Sequence, residues 1–197
     1  MLFTELQFFA FFAALFVAYW IIQSRSGRVT LLVAASFCFY AAWDYRFVTL
    51  LAGVVAVAYC AQKALHATDL EKRRRRIVQA SAFLLLALLG VFKYFNFFAD
   101  SLVAAFQRAG IELSQPTVAI ILPVGISFYV FQAIGYVIDT NRGKFDRAHS
   151  LLDVTFFVAF FPQLVAGPIV RAQNFFPQIK LHHKLSLIHI SEPTRPY

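Results

Sequence analysis

Two stretches of the sequence place polar side chains and helix-breaking residues inside apolar runs. The first is Leu122–Gln132, which reads Leu-Pro-Val-Gly-Ile-Ser-Phe-Tyr-Val-Phe-Gln and is followed by Gly135, Tyr136 and Asp139. The second is Phe160–Arg171, which reads Phe-Phe-Pro-Gln-Leu-Val-Ala-Gly-Pro-Ile-Val-Arg. Proline removes a backbone donor and leaves a carbonyl without its helical partner, whereas glycine lets a neighbouring helix or a ligand come close. Both stretches are therefore candidates for lining a cavity at membrane depth.

Four polar side chains in and after the first stretch fall on roughly one face of a helix. They are Ser127, Gln132, Tyr136 and Asp139, spaced three to five residues apart. Polar groups at membrane depth usually face the protein interior or a wet cavity. Two interpretations are open, namely hydrogen bonding between helices and lining of a substrate path. We expect Asp139 to lie at the cytoplasmic end, where it can pair with Arg142.

The histidines and cysteines offer less chemistry than the two polar stretches. His66 and His149 are expected to be solvated in cytoplasmic loops, and the pair His182-His183 has no spacing specific to a metal site. Cys38 and Cys60 lie in apolar runs without disulfide or CxxC metal-site spacing, so we interpret them as small buried side chains. The sequence contains no P-loop, dinucleotide fingerprint, nucleophile elbow or zinc-protease motif. We therefore expect no metal site.

The elements that carry these residues are expected to be membrane helices. The 197-residue chain is 60% hydrophobic and 17% aromatic, with a mean hydropathy of +0.66, whereas soluble domains are about 45–50% apolar. We predict an all-α polytopic membrane protein with about six membrane-embedded helices, since a crossing helix needs about 20 apolar residues. The predicted spans are Leu6–Ile22, Val29–Trp43, Phe47–Leu65, Ile77–Phe92, Val118–Ile138 and Leu151–Val165. Residues 97–109 are predicted to form an interfacial amphipathic helix.

Positive charge lies in alternate loops between these spans. The net charge is +8, and the basic residues follow the first span (Arg25, Arg28), the third span (Lys72–Arg76) and the fifth span (Arg142–Arg147). Because cytoplasmic loops carry an excess of lysine and arginine, we expect these loops inside and the N-terminus outside. The expected partner of this charge is the lipid bilayer, not nucleic acid.

The end of the chain differs from everything before it. Leu185–Arg195 reads Leu-Ser-Leu-Ile-His-Ile-Ser-Glu-Pro-Thr-Arg, which is one translation of the reverse complement of a common transposase sequencing adapter. We therefore expect the native domain to comprise residues 1–184 and residues 185–197 to be an artefact. His189 within it is expected to carry no function.

The chain resembles the membrane-bound O-acyltransferase family, and within it the bacterial alginate O-acetyltransferase type. The resemblance extends over Met1–Lys180 in a series of ordered motifs. These are Ser36–Phe47, Phe92–Phe98, Leu122–Tyr129, Tyr136–Asp139 with Arg142-Gly143, and Phe161–Arg171.

The resemblance implies that these helices form part of a larger funnel through the bacterial inner membrane. An acetyl group from acetyl-CoA or another activated acyl carrier would pass from the cytoplasmic side to hydroxyls of an exported polysaccharide such as alginate. Extracytoplasmic acetyl-handling or polysaccharide-export proteins would be partners, and no cofactor would stay bound. The family's catalytic residue is a membrane-embedded histidine that can act as a general base. No position in this chain matches its context, so the fragment is expected to be inactive alone.

The resemblance assigns roles to the two polar stretches. The candidate funnel-lining residues are Pro123, Ser127, Gln132, Pro162, Gln163 and Arg171, and the residues expected to shape the backbone are Gly125, Gly167 and Pro168. Three alternatives remain. These are a D-alanine-type transferase of cell-wall polymers, a transporter or channel with a broken-helix site, and a non-catalytic assembly subunit. A histidine in a later apolar segment would favour acyl transfer, whereas an inverted repeat of the spans would favour transport.

Overall fold

The computed structural model describes residues 5–108, 121–145, 148–167 and 170–180. In these ranges the chain forms eight α-helices and no β-strand. They are α1 (Leu6–Ile21), α2 (Arg25–Asp44), α3 (Arg46–His66), α4 (Glu71–Arg108), α5 (Ile126–Asn141), α6 (Leu151–Ala159), α7 (Phe161–Ala166) and α8 (Ala172–Lys180). The predicted all-α membrane fold is confirmed. Pro168, Arg147, His182-His183 and residues 185–197 lie outside the described ranges.

Three of the helices, α2, α3 and α4, are long and apolar enough to cross a membrane. The 21 residues of α3 extend about 31 Å at a rise of about 1.5 Å per residue, which matches the hydrocarbon thickness of a bilayer. Helix α1 and the segment Leu151–Leu164 are apolar but shorter. Five of the six predicted spans thus correspond to apolar helical segments among the described residues.

The structure corrects the prediction of a separate interfacial helix at residues 97–109. Helix α4 continues without a break from Glu71 to Arg108. No glycine or proline occurs between Phe92 and Arg108 to end it. The predicted fourth span and its interfacial neighbour are therefore one helix as far as Arg108.

Two other predicted spans differ in where they begin or break. Helix α5 begins at Ile126, so Pro123 and Gly125 precede this helix and do not interrupt it. The sixth span breaks at Phe160, where the backbone is extended (φ −62°, ψ 111°), between α6 and α7. Pro162 explains the position of the break, because its ring would clash with the carbonyl four residues earlier in a continuous helix. As the second residue of α7 it displaces no helical hydrogen bond.

The core lies where α3, α5 and α6 pack together. Its fully buried side chains include Leu51, Val54, Tyr129, Ala133 and Val154. A smaller cluster joins α1 and α2 to α7 through its buried members Leu15, Ala35, Phe39 and Phe161. Tight contact between helices in a membrane depends on such packing, because lipid tails are as apolar as the side chains.

The outward faces are apolar as well. Exposed phenylalanines occur along α1 and α4, among them Phe9, Phe83 and Phe97, at 59%, 75% and 64% exposure. Patches of this kind mark contact with lipid or with other protein. Cys38 and Cys60 also lie on exposed surfaces, so the prediction that they are buried is wrong. An apolar sequence around a cysteine does not distinguish burial in protein from exposure to lipid.

One arginine of the basic run Lys72–Arg76 caps the C-terminal ends of α3 and α5. Arg74 donates through Nη1 to the carbonyls of Leu65 (2.9 Å) and Thr68 (3.3 Å), and through Nη2 to the carbonyl of Asn141 (3.0 Å). Carbonyls at a helix C-terminus lack helical partners, and basic side chains can satisfy them. Arg74 therefore has a structural role in addition to its charge.

Candidate functional site

The α6–α7 break is anchored to α2 by one serine. The Ser36 hydroxyl is fully buried, donates to the carbonyl of Leu32 (2.7 Å) and accepts from the backbone N–H of Phe161 (3.2 Å). The first N–H groups of a helix have no partner within it. Ser36 thus satisfies one of them inside the protein, where no water would replace it.

The turn before α5 packs against α7 at the same place. Gly125 has φ +75°, and a Cβ atom built on it would collide with the carbonyl oxygen of Leu164. The Tyr40 hydroxyl donates to the carbonyl of Val124 at 3.1 Å. Only glycine combines this backbone conformation with so close an approach. The sequence Pro123-Val124-Gly125 therefore brings the start of α5 against both α2 and α7.

A pair of glutamine side chains lies at the centre of this junction. The buried Gln132 amide nitrogen donates to the carbonyl oxygen of Phe157 at 2.7 Å and to the side-chain oxygen of Gln163 at 3.0 Å. A backbone carbonyl can only accept, so the atom of Gln132 that faces Phe157 is the nitrogen, and both of its hydrogens are used. The orientation of the Gln163 amide is fixed in turn, since its oxygen receives one of them.

This arrangement leaves the Gln163 amide nitrogen as a donor. Gln163 is half-buried, and its nitrogen makes no hydrogen bond to another residue of the described ranges. A half-buried NH₂ group of fixed direction can hold a hydroxyl or carbonyl oxygen of a ligand. The predicted residues Gln132 and Gln163 are thus brought together, in a geometry suited to positioning an oxygen atom.

The other predicted residues of the described ranges differ in burial and position. Pro123 is buried before α5, Ser127 is half-buried in its first turn, and Pro162 is half-buried in α7. Gly167 follows α7, and a Cβ atom on it would lie 2.7 Å from Cα of Gln163. Arg171 is exposed before α8, and no hydrogen bond among the described residues joins it to the glutamine pair.

A second buried polar cluster was not predicted from the sequence. The fully buried Gln62 of α3 donates to the carbonyl of His149 (3.0 Å) and accepts from the backbone N–H of His149 (2.8 Å). The Tyr136 hydroxyl donates to the side-chain oxygen of Gln62 and lies 3.1 Å from His149 Nδ1. The sequence did contain a signal for this cluster, namely Gln62 as a lone amide in the predicted apolar span Phe47–Leu65. Polar groups at membrane depth usually form hydrogen bonds inside the protein.

The second cluster corrects the expectation that His149 is solvated. Its ring stacks on that of Phe176, with 3.7 Å between the ring centroids and an angle of 16°, and Phe145 meets it edge-on at 4.8 Å. The side-chain amide of Gln62 forms one hydrogen bond to the backbone carbonyl of His149 and one to its N–H. The loop before α6 is therefore held against α3 and α5. His66 is exposed, as expected.

The predicted polar face of α5 is used mainly for contacts between helices. Gln132 bonds to the α6–α7 segment and Tyr136 bonds to α3, so both side chains form hydrogen bonds between helices. The expected pairing of Asp139 with Arg142 does not form. The ion pairs in the described ranges are Arg25–Asp153 (3.1 Å) and Arg46–Asp44 (2.7 Å). Within the same ranges no group of three histidine, cysteine or acidic residues could hold a metal ion.

Comparison with known proteins found relatives whose sequences align with 90% of this chain. The Probable alginate O-acetylase AlgI of Pseudomonas putida is 37% identical over 179 residues, which are 90% of this chain and 37% of that protein. The protein of the same name from Pseudomonas aeruginosa is 37% identical over 181 residues, 90% of this chain and 34% of that protein. The Peptidoglycan O-acetyltransferase of Helicobacter pylori is 31% identical over 206 residues, 90% of this chain and 38% of that protein.

The chain therefore spans little more than a third of the length of these relatives. No protein-family model and no solved structure matches it.

Proposed function

Because the chain belongs to the membrane-bound O-acyltransferase family, we propose that it is the N-terminal part of an enzyme that transfers acetyl groups to hydroxyls of an exported polysaccharide such as alginate. The names of the relatives support O-acetyl transfer, to alginate in one group and to peptidoglycan in another. The acceptor common to both is a polysaccharide hydroxyl.

The observation that supports a substrate role for this part of the enzyme is the fixed amide of Gln163. Its nitrogen is the remaining donor of the Gln132–Gln163 pair, and it lies next to a helix break held by Ser36 and Gly125. Irregular backbone at membrane depth is tolerated where it is buried in protein or lines a cavity. We assign Gln163 the task of holding an oxygen of the acyl donor or of the acceptor, with Gln132 as its positioning residue.

The chemical step itself is assigned to a histidine in a later segment of the full-length protein. That histidine takes the proton of the acceptor hydroxyl, the hydroxyl oxygen forms a bond to the acyl carbon, and the bond from that carbon to the carrier breaks. The proton then passes to the departing carrier group. His149 is not offered for this role, because its ring is packed between Phe176 and Phe145 beside the Tyr136 hydroxyl.

The proposed setting is the cytoplasmic membrane of a bacterium. The basic loops face the cytoplasm, where acetyl-CoA or another activated acyl carrier is the donor, and the N-terminus is outside. Extracytoplasmic acetyl-handling or polysaccharide-export proteins receive the product. Residues 1–184 form the native portion, and residues 185–197 derive from a sequencing adapter.

The test begins with a long read of the source DNA across the codon for Lys184. The complete frame is then expressed in a bacterium that exports the polymer but cannot acetylate it, beside a chain ending at Lys184. We expect acetyl esters on the polymer with the complete protein and none with the short chain. A genomic frame that ends at Tyr197, or a complete protein that transfers no acetyl group, would overturn the proposal.

The same cells separate the proposal from its alternatives. A D-alanine-type transferase would give alanyl esters on the polymer. Mild alkaline hydrolysis would then release alanine, which differs in mass from the acetate released from acetyl esters. A transporter would move a solute and leave the ester content unchanged. A non-catalytic assembly subunit would tolerate replacement of every embedded histidine without loss of acetylation.

A further inference from the structure

An apolar groove opens beside the α6–α7 break, between α1, α2 and the break itself. Its volume is about 260 Å³. Its walls include Phe12, Phe16, Tyr19 and Trp20 of α1, with Phe160 and Pro162 at the break. From Phe12 to Trp20 the helix rises about 12 Å. The groove is therefore elongated along α1 and apolar, and Phe12 and Phe16 beside it are each 48% exposed.

One end of the groove carries a donor that has no acceptor. The indole nitrogen of Trp20 is buried, and no atom of the described residues forms a hydrogen bond with it. An indole N–H can only donate, so it needs an acceptor atom and cannot be satisfied by a second donor. A buried donor without an acceptor is costly, and an acceptor oxygen from a bound molecule would remove that cost.

A fixed positive charge lies at the same end. The Arg28 guanidinium carbon is 4.8 Å from the centre of the Tyr19 ring and 5.5 Å from that of Trp20, and its Nε donates to the carbonyl of Ile22 at 2.6 Å. Arg28 is half-buried and forms no ion pair within the described ranges. The neighbouring Arg25 differs, because it is paired with Asp153. Arg28 thus lacks a counter-charge while its other contacts hold it in place.

We propose that this groove binds one anionic phospholipid of the surrounding bilayer. An acyl chain lies along α1, and phosphate oxygens accept hydrogen bonds from Trp20 Nε1 and from the terminal nitrogens of Arg28. Guanidinium matches phosphate geometry well, and a negative headgroup supplies the missing counter-charge. A free phosphate ion would leave the groove empty, whereas a zwitterionic lipid would fill the groove without supplying net negative charge. The lipid would also contact Phe160 and Pro162 at the break. This binding does not depend on whether the protein transfers acetyl groups.

The test uses the full-length protein, purified into nanodiscs that contain equal amounts of phosphatidylglycerol and phosphatidylcholine. Native mass spectrometry measures the lipids retained after release from the disc. We expect the wild-type protein to retain one phosphatidylglycerol several-fold more often than one phosphatidylcholine. Arg28→Gln should remove this preference, and Arg25→Gln, which changes the charge equally on the same helix, should keep it.

A second variant guards against a folding defect in Arg28→Gln. Trp20→Phe keeps an aromatic ring at this position and removes the indole N–H group together with part of the indole ring, so we expect it to fold and to lose several-fold in phosphatidylglycerol retention. A thermal unfolding scan should show that added phosphatidylglycerol raises the Tm of the wild type more than phosphatidylcholine does, since a ligand stabilises the state that it binds. Equal retention of the two lipids by the wild type, or equal losses in Arg25→Gln and Arg28→Gln, would overturn the proposal.

Discussion

The Gln132 side-chain nitrogen lies 2.7 Å from the Phe157 carbonyl and 3.0 Å from the Gln163 side-chain oxygen, so one amide group joins α5 to both sides of the α6–α7 break. The two glutamines are 31 residues apart in the sequence. Because Phe157 lies in α6 and Gln163 in α7, the position of α7 relative to α6 depends on this single amide together with Ser36. Loss of either glutamine should therefore change the geometry of the break before it changes the fold.

We expect Gln163→Ala to lower acetylation by the full-length enzyme roughly tenfold without loss of protein from the membrane. Removing one positioning hydrogen bond costs about 1–1.5 kcal/mol, which corresponds to about tenfold in rate. Acetyl esters on the exported polymer are measured, with Gln23→Ala as the matched control because Gln23 is an exposed amide between α1 and α2. Normal acetylation in Gln163→Ala would contradict the assigned role.

The pair Gln132→Ala and Gln163→Ala also allows a double-mutant cycle. If Gln132 acts only through Gln163, the double variant should lose no more activity than the more severe single variant, because effects of groups that act as a unit are not additive. Additive losses would show that the two side chains act separately.

Gly125→Ala should destabilise the protein by about 3 kcal/mol or more, because strain at positive φ adds to a collision with the Leu164 carbonyl. Gly143 has φ +69° but nothing within 4 Å, so Gly143→Ala should show only the strain, about 1 kcal/mol. Gly53 lies within α3 with nothing near its Cβ position, and Gly53→Ala should be neutral or stabilising. Thermal unfolding in detergent gives the ranking, and equal Tm values for Gly125→Ala and Gly143→Ala would refute the close contact.

Ser36→Ala should cost about 1–3 kcal/mol, since the N–H of Phe161 would be left buried without an acceptor. Ser81 is the matched control, because its buried hydroxyl donates only to Ile77 (2.8 Å) and Val78 (3.1 Å) in its own helix. Ser81→Ala leaves no helical N–H unpaired and should cost less. Chemical unfolding of the two variants tests the difference. A larger loss for Ser81→Ala would show that the hydroxyl of Ser36 does not support α7.

Arg74→Gln should lower the free energy of unfolding more than Arg75→Gln does. The two variants should affect the orientation of the protein in the membrane equally. Arg74 satisfies carbonyls at the ends of α3 and α5, and we expect its loss to cost about 1–2 kcal/mol. Arg75 is exposed, so its replacement removes the same charge without a structural contact. Thermal unfolding measures stability, and labelling of a cysteine placed in the Lys144 loop measures orientation. Equal unfolding of the two variants would show that Arg74 acts by charge alone.

Much of the fold could be predicted from local sequence. Apolar runs located α1, α2, α3 and the first part of α4, because the length and polarity of a membrane helix are local properties. Local patterns were less reliable at helix ends. The fourth span was expected to end at Phe92, yet nothing there breaks helix α4. Pro162 explains the end of α6, which comes at Ala159, three residues before the proline itself.

The candidate site was predicted in its residue types and not in its contacts. Helical spacing placed Gln132 and Tyr136 on one face of α5, but it could not tell that one bonds to Gln163 and the other to Gln62. His149 was expected in water because it lies in a predicted cytoplasmic loop. Its partners Gln62 and Phe176 are distant in the sequence.

The sequence by itself determined that this chain is a bundle of membrane helices with helix-breaking residues in two of its apolar runs, and its motifs determined the family. Only the tertiary structure decided which polar groups meet, such as Ser36 with Phe161 across 125 residues and Gln62 with His149 across 87. The physical reason is that apolarity and helix periodicity are set by neighbouring residues. A buried hydrogen bond between distant helices depends instead on their relative rotation and depth, which the packing of the whole core fixes.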